Sequence, residues 1–277
     1  MFHNIKFFLK FQLMISRINY AVKNIKYLIF AGHKKGHGIH SPFVYNLIKN
    51  VFNKKDINSE LQKVLEFYKI INASDELVEF ENSGAGSAFG IKKSLTLSQI
   101  IHRSGIPIKY GKLLFNLVNH FNPETILELG TSVGISSAFI GSAAKEARFI
   151  TIDASETKLN KAKELSENLG LKNIRFVKGD FDDVLESVLS STNKLDFVFI
   201  DGNHKKEPTL KYFEQCLNKS HNNSVFIFDD IHWSDDMEKA WDEIKRNPKV
   251  RVSIDIFRMG IIFFRSELSY QQYVIKF

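Results

Sequence analysis

Between Thr125 and Phe264 the chain alternates between short apolar runs and longer segments of helical periodicity. Strands are expected at Thr125–Leu129, Phe149–Asp153, Ile174–Val177, Leu195–Asp201 and Ser224–Asp229. The segments between and after them, Gly134–Ala147, Glu156–Leu169, Asp182–Leu189, Glu207–Leu217 and Asp235–Arg246, read as helices. Such alternation constrains a fold strongly. Parallel neighbours need a crossover to return the chain to the same end of the sheet, and helices make those crossovers. Val250–Phe257 and Gly260–Phe264, joined by Arg258-Met-Gly260, read as a closing pair with an antiparallel strand at the edge. The expected fold is α/β: a Rossmann-like, mostly parallel sheet with helices on both faces.

The N-terminal third has a different character. In a chain of 277 residues it reads as a helical extension and lid over 1–105, ahead of a sheet domain over 106–277. Phe8, Phe11, Ile15, Ile18, Val22, Ile25 and Ile29 recur at spacings of three and four, a helical seam. That seam would dock on its own domain or on a second copy, making the chain a homo-oligomer. A basic amphipathic helix can also lie on an anionic membrane surface. Ser41 and Pro42 suit the N-cap and first position of a helix over Phe43–Phe52, and a second helix is expected over Ile57–Ile71. Asn82–Gly90, rich in Gly and Ser, reads as a hinge or as a lid whose backbone approaches a ligand. Tyr110–Phe121 reads as a further helix.

Charge and composition exclude several classes. Residues 1–55 hold ten Lys/Arg and no Asp/Glu, leaving 28 basic against 31 acidic groups in the rest. The basic character belongs to the N-terminus and not to a patch around the strand ends, so nucleic acid is not the expected partner. A single cysteine, Cys216, excludes an intramolecular disulfide framework and points to a reducing, cytoplasmic setting. No apolar run approaches the ~18 residues of a membrane span. His33, His37 and His40 invite a metal reading, but two glycines in the run and no nearby carboxylate favour a basic loop.

In sheets of this kind ligands bind beyond the carboxyl ends of the strands. Those ends carry Glu128-Leu-Gly130-Thr-Ser-Val-Gly134-Ile-Ser136, then Asp153, then Gly179-Asp180-Phe181, then Asp201-Gly-Asn-His204, then Asp229-Asp230-Ile-His232. Five such endings in register make a shared site. The first loop lacks the Gly-x-Gly-x-x-Gly spacing that seats a pyrophosphate, and an acid at Glu128 suits a cationic ligand instead. Asp153 lies 19 residues past Gly134, the distance at which a second strand delivers a carboxylate to ribose hydroxyls. A ribose, no pyrophosphate and a positive centre describe S-adenosyl-L-methionine (SAM), whose demethylated product is S-adenosylhomocysteine (SAH).

Tyr110-Gly-Lys-Leu-Leu-Phe through Pro123-Glu-Thr-Ile-Leu-Glu-Leu-Gly130, Leu195-Asp-Phe-Val-Phe-Ile-Asp201 and Val225-Phe-Ile-Phe-Asp229-Asp230 together resemble class I SAM-dependent methyltransferases of the catechol O-methyltransferase kind. His40-Ser-Pro-Phe, Gly84-Ala-Gly-Ser and Asp229-Asp-Ile-His-Trp also look like a bacterial O-methyltransferase branch. The resemblance implies that Glu128, Gly130 and Gly134 shape the SAM turn, with Gly111 and Ser132 also among the cofactor-binding residues. It implies Ser136 near the methionine carboxylate, Asp153 on the ribose, Asp180 and Phe181 beside the adenine, and Asp201 near the methionine end.

Transfer to an oxygen also needs a proton removed. Such enzymes often use a divalent cation held by two acids and an amide, with a lysine nearby. Asp201, Asp229 and Asp230 stand at those positions, an all-oxygen set suited to Mg, Ca or Mn. An acid replaces the amide at Asp230, and His204 replaces the lysine, so His204 with Asp201 could do the proton transfer without metal. His232 and Trp233 would wall the acceptor pocket. The implied activity is methylation of a small-molecule hydroxyl. Two other readings stay open: a non-catalytic SAM- or nucleoside-binding interaction module, and an RNA or protein methyltransferase using the basic N-terminus.

Overall fold

The structure is a computed structural model that describes residues 18–81 and 92–277. The readings placed on Phe8, Phe11, Ile15 and Asn82–Gly90 lie outside the described residues. The N-terminal region contributes helix α1 (18–30), α2 (Pro42–Leu47) running into a π-helical turn at Ile48–Phe52, and α3 (Ser59–Asn72). It also contributes the antiparallel pair β1 (Leu77–Glu81) and β2 (Lys92–Thr96), followed by α4 (Leu97–Ser104). Ser41 caps α2 as expected, its hydroxyl accepting from Val44 N at 3.4 Å. Helix α4, to which the sequence reading assigned no element, is started by a capping box. Thr96 Oγ1 accepts from Gln99 N, and Gln99 Oε1 accepts from Thr96 N, both at 3.1 Å.

The sheet domain follows the expected alternation closely. Its elements are α5 (Ile108–Phe121), β3 (Thr125–Leu129), α6 (Ile135–Ala143), β4 (Arg148–Asp153), α7 (Glu156–Asn168), β5 (Ile174–Lys178) and α8 (Phe181–Ser190). They continue as β6 (Phe197–Ile200), α9 (Lys206–Leu217), β7 (Val225–Phe228), α10 (Asp235–Arg246), β8 (Val252–Asp255), β9 (Gly260–Phe263) and β10 (Gln271–Val274). The strand order is β10-β8-β9-β7-β6-β3-β4-β5. Strands β5, β4, β3, β6 and β7 are mutually parallel.

The end of the sheet differs from the sequence expectation. The antiparallel strand is β9, and it lies between β7 and β8 rather than at the edge. The edge is β10, parallel to β8, whose half-exposed Gln-Gln-Tyr-Val carries no apolar run to announce it.

Period-two alternation sends successive side chains to opposite faces. Ile126, Phe149, Phe197, Phe199 and Ile227 face one core, shared with α2, α3, α4, α5 and α6. Leu127, Ile150, Val198, Ile200, Phe226 and Phe228 face the other, shared with α8, α9 and α10 through Leu185, Tyr212, Phe213 and Trp241. Each fully buried side chain of this size stabilises by roughly 1.5–3 kcal/mol before entropy costs. The order reverses between β3 and β6, and the cleft opens there. Among the described residues no helix is long and apolar enough to cross a membrane.

Candidate active site

A cleft of about 600 Å³ sits over the carboxyl ends of β3, β4, β6 and β7. Its floor is the turn after β3. Gly130 has φ 106°, and a Cβ there would run into the carbonyl oxygen of Asp201, so the crossing of two strand ends requires glycine. Ser132 follows at φ 46° and donates its N–H to Asp153 Oδ2 at 2.8 Å, while Asp153 Oδ1 accepts from Ser155 N at 2.9 Å. Asp153 therefore ties the turn after β3 to the start of α7, one oxygen to each. Each oxygen still has acceptor capacity toward the cleft, which Gly130, Ser132, Asp153 and Lys158 line together.

Glu128 lies beneath this turn, not in it. Its side chain is fully buried, and the hydroxyls of Ser137 and Thr151 donate to Oε2, Thr151 at 2.7 Å. Burial pushes its carboxyl up to about 7, against the pull of the surrounding hydroxyls. The expectation that this acid faces a cationic ligand is corrected by its position. Glu128 shapes the loop through hydroxyl bonds, and Thr131 joins the set at 2.6 Å from Thr151.

Gly111, Gly134, Ser136, Asp180 and Phe181 are not among the residues that line the cleft. Gly111 lets α5 approach α6, since a Cβ would enter the ring of Phe139. Gly134 caps α6 against Ala162, and Ser136 is buried in the first turn of that helix. Asp180 is exposed at the start of α8, and Phe181 packs on Gly202 and edge-on against Tyr212 at 5.4 Å.

The opposite end of the cleft is ionic. Asp201, His204, Asp230 and Arg258 line it. Asp229, fully buried beside them, accepts a forked pair from Arg258: Nε to Oδ1 at 2.9 Å and Nη2 to Oδ2 at 2.7 Å. Arg258 Nε also lies 3.8 Å from Asp230 Oδ1. His204 Nε2 lies 3.7 Å from Asp201 Oδ1, and its side chain is about one third exposed, at 35%. Burial, then Asp229 and Asp230, pushes the Asp201 carboxyl well above the usual range, with Arg258 pulling the other way. Asn203, His204, Asp230 and Phe257 all have positive φ, so strained backbone gathers at this end.

This geometry does not fit the metal set expected from the sequence. Both oxygens of Asp229 are engaged by a guanidinium, and among the described residues no group of three His, Cys, Asp or Glu could hold a metal ion. His33, His37 and His40 form no such group either; His33 Nδ1 bonds the carbonyl of His37 at 2.7 Å.

Two further expectations change. His232 does not line the cleft. Its ring bonds Glu238 Oε1 at 2.7 Å and Asp255 Oδ2 at 2.8 Å and stacks on Phe257, so it braces the wall from behind. Burial opposes its charge, but the two carboxylates outweigh burial and raise its pKa. Trp233 does line the cleft, and Tyr20 of α1 lies 5.7 Å from it and 5.1 Å from Phe257.

Helix α1 thus docks on its own domain and reaches the site, but by a face other than the expected seam. Tyr20, Lys23, Tyr27 and Ala31 form its docked face, with Lys23 on Asp235 at 2.6 Å and on Glu238 at 2.9 Å. Ile18, Val22, Ile25 and Ile29, the expected seam, are exposed. Rings and carboxylates more than two hundred residues away decide the facing, and the aliphatic period does not report them.

Arg258, Tyr20, Tyr68, Arg103 and Ser104 are lining residues that sequence reasoning missed. For Ser104 a signal existed in the Thr96–Gln99 capping pattern. For Arg258 it was a lone cation in a turn between two apolar strands.

Residues 127–231 match the sequence model of a methyltransferase domain. A protein of Mycobacterium tuberculosis named probable O-methyltransferase is 28% identical over 130 residues, 44% of this chain and 55% of that protein. An uncharacterized protein of Acanthamoeba polyphaga mimivirus is 27% identical over 143 residues, 48% of this chain and 65% of that protein. The chain thus spans less than two thirds of the length of either relative. Among solved structures, the O-methyltransferase from Bacillus cereus in complex with SAH aligns at TM-score 0.52 and 21% identity, covering 80% of this chain and 97% of that one. An SAH-bound methyltransferase from Podospora anserina aligns at 0.56 and 12% identity, covering 81% and 96%. These structures share the fold.

Proposed function

We propose that this chain, in which residues 127–231 form a class I methyltransferase domain, is a SAM-dependent O-methyltransferase acting on a hydroxyl of a small molecule. The observation that carries the reading is one cleft with two unlike ends. At one end Asp153 clamps the Gly130–Ser132 turn; at the other Asp201, His204 and Arg258 converge. The donor set fits SAM. Asp153 offers acceptor capacity for ribose hydroxyls, and the glycine turn lets backbone come close.

When bound, SAM supplies a sulfonium methyl: the acceptor oxygen bonds to that carbon as the carbon–sulfur bond breaks, and sulfur keeps the electron pair as the thioether of SAH. The residues of this chain align the groups and exclude water, which is most of what such a displacement needs. The His204 ring is the base for the acceptor's proton, set 3.7 Å from Asp201. Tyr20, Tyr68 and Trp233 supply aromatic walls that suit a flat acceptor. The residues do not fit a divalent cation, so no step uses one.

Two smaller proposals accompany this one. Exposed Ile18, Ile25, Ile29 and Phe30 support homo-oligomer contact through α1, with a membrane surface as the alternative occupant. A single cysteine, Cys216, leaves no intramolecular disulfide to be made, which supports a reducing, cytoplasmic setting. The activity is tested by incubating the protein with methyl-labelled SAM and a panel of phenols, catechols and sugars. Label in an ether product is expected. Label in added RNA or protein alone would favour the macromolecular reading.

A further inference from the structure

We propose that Arg258 stands in for the divalent cation that the family resemblance implies, so that the acceptor end of the cleft works with a resident guanidinium and takes up no metal. The inference rests on the methyltransferase reading for its chemistry and on geometry for its position. Arg258 projects from the tight turn between β8 and β9. Ile231 N donates to the Arg258 carbonyl at 3.2 Å, which staples that turn to the loop carrying Asp230. The guanidinium is thereby fixed among Asp201, Asp229 and Asp230, the three acids that the sequence offers as ligands.

A cation at those acids would have to displace a forked, charge-assisted pair from Asp229, whose side chain is wholly buried. It would also have to sit beside a positive charge that the same turn prevents from leaving. One site cannot hold both charges against the same carboxylates.

The same geometry gives Arg258 a use. Its bonds to Asp229 run from Nε and Nη2, so Nη1 and the second Nη2 proton remain. The side chain is partly exposed and lines the cleft with His204. Those donors can hold the acceptor oxygen and stabilise the negative charge that grows as its proton moves to His204, the role a metal plays elsewhere.

The test needs no knowledge of the acceptor. Mn²⁺ is titrated into the full-length wild type and into Arg258→Ala, with and without SAH, and bound metal is followed by electron paramagnetic resonance. The expected result is no Mn²⁺ bound by wild type, and binding at least about tenfold tighter in Arg258→Ala, where the acids are freed. One Mn²⁺ per wild-type chain, or equal weak binding by both proteins, overturns the proposal. Should Arg258→Ala not fold, Arg258→Gln serves as the second variant, since it keeps a polar side chain but carries no charge against Asp229. It is expected to bind Mn²⁺ more tightly than wild type, and no gain overturns the proposal. SAH binding by calorimetry on the same wild-type samples separates the two ideas. Absence of SAH binding refutes the methyltransferase reading, whereas bound Mn²⁺ with intact SAH binding refutes only the role of Arg258.

Discussion

The two ends of the cleft are built by different physics. The β3–β4 end is made of backbone amides gathered onto one carboxylate, over a floor of hydroxyls around Glu128. The β6–β7–β8 end is made of side-chain charges: Asp229 on Arg258, His232 between Glu238 and Asp255, and Lys23 on Asp235. The first arrangement depends on turn shape, which local spacing encodes. The second depends on pairs that no local pattern announces. Removing one partner of a buried charge pair is also far more disruptive than removing one acceptor from a turn.

The largest expected effect follows from that contrast. Arg258→Ala leaves Asp229 buried and without its charge partner and should lower unfolding free energy by about 3–5 kcal/mol in urea denaturation. Asp153→Asn, at the other end, should lower it by no more than about 1.5 kcal/mol. Equal losses would erase the distinction between the two ends.

Glu128 gives the next effect, through pH. Its folded pKa of about 7 lies above the unfolded value of 4.5. The folded state therefore holds the proton more tightly, and that contribution is complete below pH 4.5. It is lost as pH rises through about 7. Relative to Glu128→Gln, wild-type stability should fall by on the order of 3 kcal/mol across that window. A pH-independent difference between the two proteins would contradict the buried placement of this acid.

Helix α1 supplies the smaller tests. Tyr20→Ala removes two ring contacts, together worth about 1–2 kcal/mol. It should raise KM for the acceptor several-fold while SAH affinity stays unchanged, because Tyr20 belongs to the ionic end only. Lys23→Ala breaks two bridges to partly exposed carboxylates and should cost no more than about 1 kcal/mol in thermal melts.

These contrasts also explain what the sequence could tell. Thr125–Leu129 and Asp235–Arg246 appear in the structure with the bounds read from the sequence, because apolar runs and cap residues are local signals. The turn at Gly130 and the acid at Asp153 were legible for the same reason. Helix α4 was missed although Thr96 and Gln99 spell its capping box, so that signal was present and unread. Strand β10 was not legible, because it is paired by backbone to β8 and has little apolar surface to bury. Arg258 was not legible as a site residue because its meaning lies in Asp229, on a different strand. The facing of α1 was misread because Tyr20 and Lys23 answer to Phe257 and Asp235 rather than to their own helical period.

The central claim is that the cleft over β3 and β4 is built to take an adenosyl ligand through Asp153. Calorimetric titration of the full-length protein with SAH in excess EDTA tests it most directly. The account predicts one SAH per chain in the wild type and an affinity roughly ten- to a hundred-fold weaker in Asp153→Ala, from loss of about 1.5–3 kcal/mol of charged hydrogen bonding. No heat of binding in the wild type, or an unchanged affinity in the variant, would contradict it.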